Sequence, residues 1–236
     1  MRDVWIGLHW TAVVLADGRA GMASTLVTSQ RSHGSPDVRE AGALHTLSAR
    51  DLSAYVRTGR GPEVSIGWAA LNALVNPPLG SAPHGEIDAL DFLIEHGAGR
   101  RVALVGRFPF VRQLGAHVRE LWVFELDPAE GEFSARDVPA LFLQADLIAI
   151  TSMSLVNGTF EDLIAHRRPG TPTIMLGPST PLSPALFAWG VDALFGIQVR
   201  DVDALRRCVS QGATFQQMQG VQKVTIVHPD SGIELR

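Results

Sequence analysis

The chain has 236 residues, and its 24 acidic and 20 basic side chains give a formal net charge of −4 at neutral pH. The charges are interspersed, which argues against a dedicated nucleic-acid surface, because phosphate binding needs a basic footprint. Apolar residues make up 46% of the chain, so it can bury a sizeable core.

Targeting and membrane signals are absent from the sequence pattern. The first residues carry no basic segment followed by an apolar stretch, and no apolar run approaches the length of a membrane span. The single cysteine, Cys208, cannot form an internal disulfide. These features predict a soluble cytoplasmic protein that makes no membrane contact.

The N-terminal segment predicts a β-hairpin. Residues 4–15 are rich in apolar and β-branched side chains, and residues 20–26 form a second such run. Asp17-Gly18 lies between the two runs, which is a common hairpin signal. Residues 27–43 are polar and contain glycine and proline, so we expect a loop.

The next signal is a helix start at Ser48. Its hydroxyl can cap the first turn, Asp51 can reciprocate, and Leu47 and Leu52 have the spacing of a hydrophobic staple. This helix should end near residues 59–61, before the next proline.

A second helix fits residues 63–75. Val64, Trp68, Leu71 and Val75 repeat at helical spacing, which places them on one face. Asn76-Pro77-Pro78 should terminate the helix. Residues 1–80 are therefore predicted to form a small α+β domain.

A connector rich in proline, glycine and serine, residues 79–86, is the predicted domain boundary, and a helix over 87–96 follows. Beyond it, strand-like and helix-like runs alternate, which predicts a Rossmann-like parallel sheet in a domain of residues 87–236. The predicted strands are 101–106, 121–126, 146–151, 173–176 and 193–197, with an edge strand at 223–227. The predicted helices are 109–118, 138–143, 159–167, 184–189 and 202–210.

Ligands of such sheets bind beyond the carboxyl ends of the strands, so the residues after each strand are candidate site residues. After the first strand come Gly106, Arg107 and Phe108, where glycine permits close backbone approach to a ligand. They lack the full glycine fingerprint of dinucleotide sites, and an ordinary tight turn is the competing interpretation. Glu125 follows the second strand, at the spacing from Gly106 that suits an acid bound to ribose hydroxyls; a surface-facing edge position is the alternative.

The loop after the third strand is dense in polar side chains. We expect Thr159 to cap the following helix together with Asp162. Capping does not account for Ser152, Ser154 and Asn157, so we expect them at a binding site. After the fourth strand comes a stiff loop with Gly177, Pro178, Ser179 and Thr180, predicted either to form a wall around the ligand or to serve as a rigid connection.

Several of these segments together resemble the putative heavy-metal chelation family. The strings are VGRFPF (105–110), FELDP (124–128), SLVNGTFEDLI (154–164) and MLGPSTPLSPALFAWGV (175–191). GLHWTAV (7–13) and SIGWAALNAL (65–74) resemble that family's partner domain. The resemblance implies a first domain like the small N-terminal domain of enolases, followed by a Rossmann-like domain. It also implies a role in metal handling or chelator metabolism.

Metal-ligand spacing gives no support for a built-in transition-metal site. None of the eight histidines pairs with another, or with Cys208, at a ligand spacing. His9, in the first strand, is expected to be a packed or surface residue rather than a catalytic one. Asn72, on an otherwise apolar helix, needs partners, and a tie from its helix to a neighbouring loop is favoured over contact with a ligand.

The function predicted from the sequence is binding of a small polar metabolite in a crevice between the domains. The candidate cofactor is S-adenosylmethionine or another nucleoside-type ligand. An enzyme of chelator metabolism, a non-catalytic metal or metal–chelate delivery protein and a nucleotide-sensing module all remain open, as does assembly into a homo-oligomer.

Overall fold

A computed structural model describes residues 1–27, 36–77 and 87–233. The chain divides into two compact units: unit 1 is Met1–Pro83, Pro178–Ser183 and Gly196–Lys223, and unit 2 is His84–Gly177, Pro184–Phe195 and Val224–Arg236. Two late stretches therefore group with the N-terminal residues. The predicted connector at 79–86 and much of the predicted loop at 27–43 lie outside the described residues, and the division into domains 1–80 and 87–236 stays a prediction.

Unit 1 contains a three-stranded antiparallel sheet of β1 (Asp3–Ile6), β2 (Trp10–Val14) and β3 (Ala20–Ser24). The predicted hairpin is the β2–β3 pair, closed by Gly18 at φ +89°. The run at 4–15 is not one strand, however. The Gly7 N–H donates to the Trp10 carbonyl over 2.9 Å, so the chain turns back and forms two strands.

Three helices follow in unit 1: α1 (Ala49–Ser53), α2 (Tyr55–Thr58) and α3 (Pro62–Val75). The predicted capping box is confirmed, because Ser48 accepts from the Asp51 N–H while the Asp51 carboxylate accepts from Ser48. Local hydrogen bonding at a helix start is thus sufficient to mark this boundary.

The buried face of α3 differs from the predicted stripe. Its fully buried apolar side chains are Ile66, Ala69, Ala70 and Ala73, whereas Val75 is exposed. The reason is a close helix–strand contact: a Cβ atom at Gly21 in β3 would lie 2.7 Å from the Asn72 carbonyl carbon of α3 and closer still to the Ala73 nitrogen and the Ala69 carbonyl oxygen. Small side chains are needed where the two backbones approach, so the larger residues of the helix point elsewhere.

A six-stranded sheet has the order β5-β4-β6-β7-β8-β9. Strands β4 to β8 are parallel, as predicted. Strand β9 is antiparallel to β8, because the Arg200 N–H bonds the Gly220 carbonyl while the His228 N–H bonds the Asp192 carbonyl. The strands are β4 (Arg101–Val105), β5 (Glu120–Phe124), β6 (Leu147–Thr151), β7 (Thr173–Leu176), β8 (Ala193–Val199) and β9 (Val221–Val227).

Short helices connect the strands. They are α4 (Ala89–Gly97), α5 (Val111–Gly115), α6 (Val138–Phe142), α7 (Met153–Val156), α8 (Phe160–Ala165) and α9 (Val202–Ser210). Helix α7 was not predicted, and the predicted helix at 184–189 is a 3-10 helix. The core of unit 2 lies against the parallel strands and includes Phe92, Leu104, Leu114, Leu147 and Ile174.

Candidate functional site

The strand order places a topological switch point between β4 and β6. In chain order the sheet reads second, first, third, fourth, fifth, so β4 has the second strand on one side and the third on the other. Open sheets of this order bind ligands at the carboxyl edge of that strand pair. Of the predicted site residues, Gly106, Arg107 and Phe108 follow β4, and Ser152 follows β6.

Two glycines at this edge adopt backbone conformations that other residues avoid. Gly106 has φ +105° and Gly177, after β7, has φ +127°. A Cβ atom at Gly106 would lie 3.0 Å from the Thr151 side chain, and one at Gly177 would lie 2.6 Å from Ser152 Oγ. Protein side chains thus occupy the space beside both glycines, so close packing of neighbouring loops already requires them.

A hydrogen-bonded cluster joins the loops after β4 and β5. The Glu125 carboxylate accepts from the Arg107 N–H, and the Arg107 guanidinium binds both carboxylate oxygens of Glu132. The side-chain hydrogen bond from Arg107 lowers the pKa of Glu132 to about 2. The sequence did not predict a role for Glu132, because its partner Arg107 is 25 residues away. The local feature that could have pointed to it is the hydrogen bond that its carboxylate accepts from the Ala129 N–H.

Glu125 keeps some accepting capacity. It lies directly after β5 and is half-buried. One carboxylate oxygen is held by Arg107, while Oε2 accepts only a long bond, 3.3 Å, from the Leu126 N–H. The geometry of Glu125 is compatible with the predicted contact to a hydroxyl group, which stays a prediction.

Ser152 and Ser154 differ in their hydrogen bonding. Both are almost fully buried. The Ser154 hydroxyl donates to the Thr151 carbonyl over 2.7 Å, which is a structural bond. Ser152 uses its backbone N–H to extend the β6–β7 pairing, but its hydroxyl has no hydrogen-bond partner among the described residues. The Ser152 hydroxyl is therefore available to hydrogen-bond a ligand atom.

The predicted cap at Thr159 is wrong. Thr159 has φ −95° and ψ −5° rather than an extended backbone, and its side chain makes no capping bond to α8. Instead the Asn157 side-chain oxygen accepts from the Thr159 N–H and hydroxyl. The Asn157 side-chain oxygen therefore stabilises this turn, whereas its NH2 group lacks a partner within the described chain.

The remaining predicted residues belong to the other unit. Pro178, Ser179 and Thr180 group with unit 1, where the Ser179 hydroxyl accepts from the Ser24 N–H over 2.8 Å. Asn72 donates to the Met22 and Ser179 carbonyls at 2.9 and 3.0 Å, so the predicted helix-to-loop tie is confirmed. The Thr180 hydroxyl is buried without a partner in the described structure.

Neither a metal-ion cluster nor a membrane-spanning helix occurs in the described ranges, 1–27, 36–77 and 87–233. No group of three His, Cys, Asp or Glu side chains there converges on a position that could hold a metal ion. No helix in the same ranges has the length and apolar character needed to cross a membrane.

Two family profiles match the chain, both described as putative heavy-metal chelation. DUF364 matches residues 88–228 and DUF4213 matches residues 1–75. An uncharacterised protein of Methanocaldococcus jannaschii, MJ0500, is 23% identical over 192 residues, which cover 78% of this chain and 71% of that protein.

Solved structures match over almost the whole chain. A DUF364 protein of unknown function from Desulfitobacterium hafniense has a TM-score of 0.80 and 25% identity, covering 96% of this chain and 91% of that one. Another, PH1506 from Pyrococcus horikoshii, has a TM-score of 0.76 and 21% identity, covering 96% and 92%. These matches agree with the mixed α/β fold described above.

Proposed function

This chain belongs to the DUF364 family, described as putative heavy-metal chelation, and we propose that it binds a small polar organic ligand at the carboxyl edge of β4 and β6. The observation that carries the proposal is the unpartnered hydroxyl of Ser152. Only 2% of this residue is exposed, yet no described residue hydrogen-bonds its side chain. It lies at the switch point, where ligands of such sheets bind.

The polar groups at the end of β6 and in the loops after β5 and β6 indicate what the ligand offers. Glu125 Oε2 is an acceptor with one long bond, the Asn157 NH2 group is a donor, and the Thr151 hydroxyl can donate. A hydroxyl-rich or amide-bearing molecule matches this set, because each of its groups could pair with one of these side chains. A nucleoside-type compound such as S-adenosylmethionine is the specific version of the proposal.

The family description links the chain to heavy metals, and we infer that the link is an organic chelator rather than an ion held by the protein alone. The side chains at this edge offer hydroxyls, an amide and carboxylates, of which Glu132 is already bound by Arg107. Such groups suit an organic ligand better than a soft transition metal. Elemental analysis of purified, untagged protein tests the inference. A near-stoichiometric transition metal that survives dialysis would overturn it.

Titration calorimetry with S-adenosylmethionine and with adenosine, alongside native mass spectrometry of the purified protein, tests the proposed site. We expect binding by the wild type and affinity losses of about tenfold in Ser152→Ala and Glu125→Gln. Ser154→Ala is the matched control: it should lower the melting temperature, because the bond to the Thr151 carbonyl is lost, but keep the affinity.

Each result decides a different part of the proposal. A co-purifying polar ligand that is not a nucleoside would support the site and overturn the nucleoside version. Binding that is unchanged in Ser152→Ala would overturn the placement of the site. The absence of both a co-purified ligand and any binding of the two probes would overturn the proposal as a whole.

A further inference from the structure

Arg167 differs from the other arginines of the described chain. Three of them, Arg19, Arg101 and Arg167, are partly buried and the others are exposed. Arg19 pairs with Asp17 at 2.9 Å, and Arg101 pairs with Asp146 at 3.0 Å. The Arg167 backbone N–H donates to the Ile164 carbonyl, but its side chain has no ion pair and no hydrogen-bond partner among residues 1–27, 36–77 and 87–233. A half-buried guanidinium has lost part of its hydration, so the missing partner has an energetic cost.

The backbone around Gly190 makes room for this guanidinium. Gly190 has φ +84°, and a Cβ atom there would lie 2.6 Å from Arg167 Nε and closer still to the terminal nitrogen Nη2. The Arg167 guanidinium therefore occupies the space that a side chain at residue 190 would fill. Its position is set by packing rather than by pairing with a carboxylate.

The residue that precedes Gly190 in the chain is an exposed tryptophan. Trp189 is 50% exposed, and its ring contacts Phe160 edge-on with 6.2 Å between the centroids. Both Trp189 and Gly190 precede β8, and Arg167 precedes β7, its neighbour in the sheet. All three residues thus lie at the amino edge of the sheet, opposite the carboxyl edge of the proposed site.

We propose that Arg167 and Trp189 form a second ligand site, which binds an oxyanion, a carboxylate or a phosphate, carried on a planar apolar group. The guanidinium has N–H groups in a fixed fork that matches two oxygens of either anion. The half-exposed indole offers an apolar face to the group that carries the anion. This site is independent of the proposed function at the opposite edge.

The test is titration calorimetry with three probes: inorganic phosphate, phenyl phosphate and benzoate. We expect phenyl phosphate or benzoate to bind, and Arg167→Gln to weaken that binding about tenfold. Arg168→Gln is the matched control, because it removes the same charge from the next, exposed residue and should change affinity less than about twofold. Circular dichroism verifies the fold of each variant.

Two more variants separate the guanidinium position from net charge. Gly190→Ala keeps every charge but displaces the guanidinium, so it should weaken binding as Arg167→Gln does. Trp189→Ala should weaken phenyl phosphate or benzoate more than inorganic phosphate. The stronger of the two aromatic probes identifies the anion. Equal losses in Arg167→Gln and Arg168→Gln, unchanged binding in Arg167→Gln, or no binding of any probe by the wild type would each overturn the proposal.

Discussion

The side-chain oxygen of Asn157 accepts two hydrogen bonds from Thr159, from the backbone N–H at 3.2 Å and from the hydroxyl at 2.8 Å. These bonds close the turn between α7 and α8. Asn157→Ala removes both, whereas Thr159→Ala removes only the second. We therefore expect Asn157→Ala to lower the free energy of unfolding by about 1 kcal/mol and Thr159→Ala by less. Urea unfolding of both variants measures the difference; a larger loss in Thr159→Ala would contradict it.

Asn157→Asp separates structure from binding at the same position. It keeps the accepting oxygen of the turn but replaces the NH2 group, which has no partner in the described chain. We expect near-wild-type stability with weaker binding of any ligand that the NH2 group contacts.

The contact between Gly177 and Ser152 predicts a steric penalty. Gly177→Ala combines a positive φ with a Cβ atom 2.6 Å from Ser152 Oγ. Gly131→Ala is the matched control, because Gly131 also has a positive φ, +83°, but nothing lies within 4 Å of its Cβ position. We expect both to destabilise, by about 1 kcal/mol in the control and by roughly 2 kcal/mol or more in Gly177→Ala. Thermal or urea unfolding gives both values.

The double variant Gly177→Ala/Ser152→Ala isolates the contact. Removing the hydroxyl should return part of the stability lost in Gly177→Ala, since the remaining penalty is that of the backbone alone. No recovery would show that the clash is not with Ser152.

Local signals made several elements predictable from the sequence. The Ser48–Asp51 capping box sets a helix start within four residues, and β7 is bounded by turn residues in its own segment. The parallel arrangement follows from alternating strand and helix patterns. Because parallel strands end at one edge, the sequence could also indicate which loops share that edge.

Non-local contacts explain what the sequence did not reveal. The buried face of α3 depends on its approach to Gly21, and the acceptor of the Arg107 side chain is Glu132, in a different loop. Threonine is a common helix cap, but the Thr159 N–H and hydroxyl both donate to the Asn157 side-chain oxygen, and the Thr159 side chain makes no capping bond to α8. Several neighbouring groups can form the same hydrogen bond, and sequence spacing alone does not show which of them does so.

We expect the ion pair between Asp146 and Arg101 to make the stability of the protein depend on pH. Asp146 accepts from the Arg101 N–H and from two guanidinium nitrogens, and these hydrogen bonds lower its pKa to about 2. A depressed pKa in the folded state means that the stabilisation is present above the ordinary value of 3.8 and is lost as the pH falls through about 2. Asp146→Asn should therefore be clearly less stable than the wild type at neutral pH, with a difference that shrinks on acidification.

Glu161→Gln is the control for general effects of acid, because Glu161 is exposed on α8 and forms no ion pair within the described chain. Its difference from the wild type should be small at every pH. A penalty for Asp146→Asn that stays constant from neutral pH to about pH 2 would show that the carboxylate charge is not what stabilises this contact.

Arg39 and Glu63 form an ion pair of unit 1 in which the arginine side chain is half-exposed and the glutamate is buried. Glu63 is only 5% exposed, and it accepts from the Arg39 N–H and Nε at 2.8 Å each and from Nη2 at 3.0 Å. Burial raises the pKa of Glu63, but the hydrogen bonds from Arg39 outweigh burial and leave it below its ordinary value. The guanidinium also lies 4.6 Å above the Tyr55 ring.

Removing Arg39 should therefore be worse than neutralising Glu63. Arg39→Ala keeps the backbone N–H of residue 39 but removes the guanidinium from the buried carboxylate, which we expect to cost about 2 kcal/mol. Glu63→Gln leaves a neutral acceptor and should cost less. Without the Arg39 guanidinium, its hydrogen bonds no longer lower the pKa of Glu63, so the pKa should rise and the penalty should shrink as acid protonates the carboxylate. In the double variant Arg39→Ala/Glu63→Gln no buried charge remains, and stability should recover relative to Arg39→Ala.

Urea unfolding at neutral and acidic pH measures all four proteins. A double variant no more stable than Arg39→Ala, or a penalty that grows in acid, would mean that lost packing on Tyr55, rather than the stranded carboxylate, explains the effect.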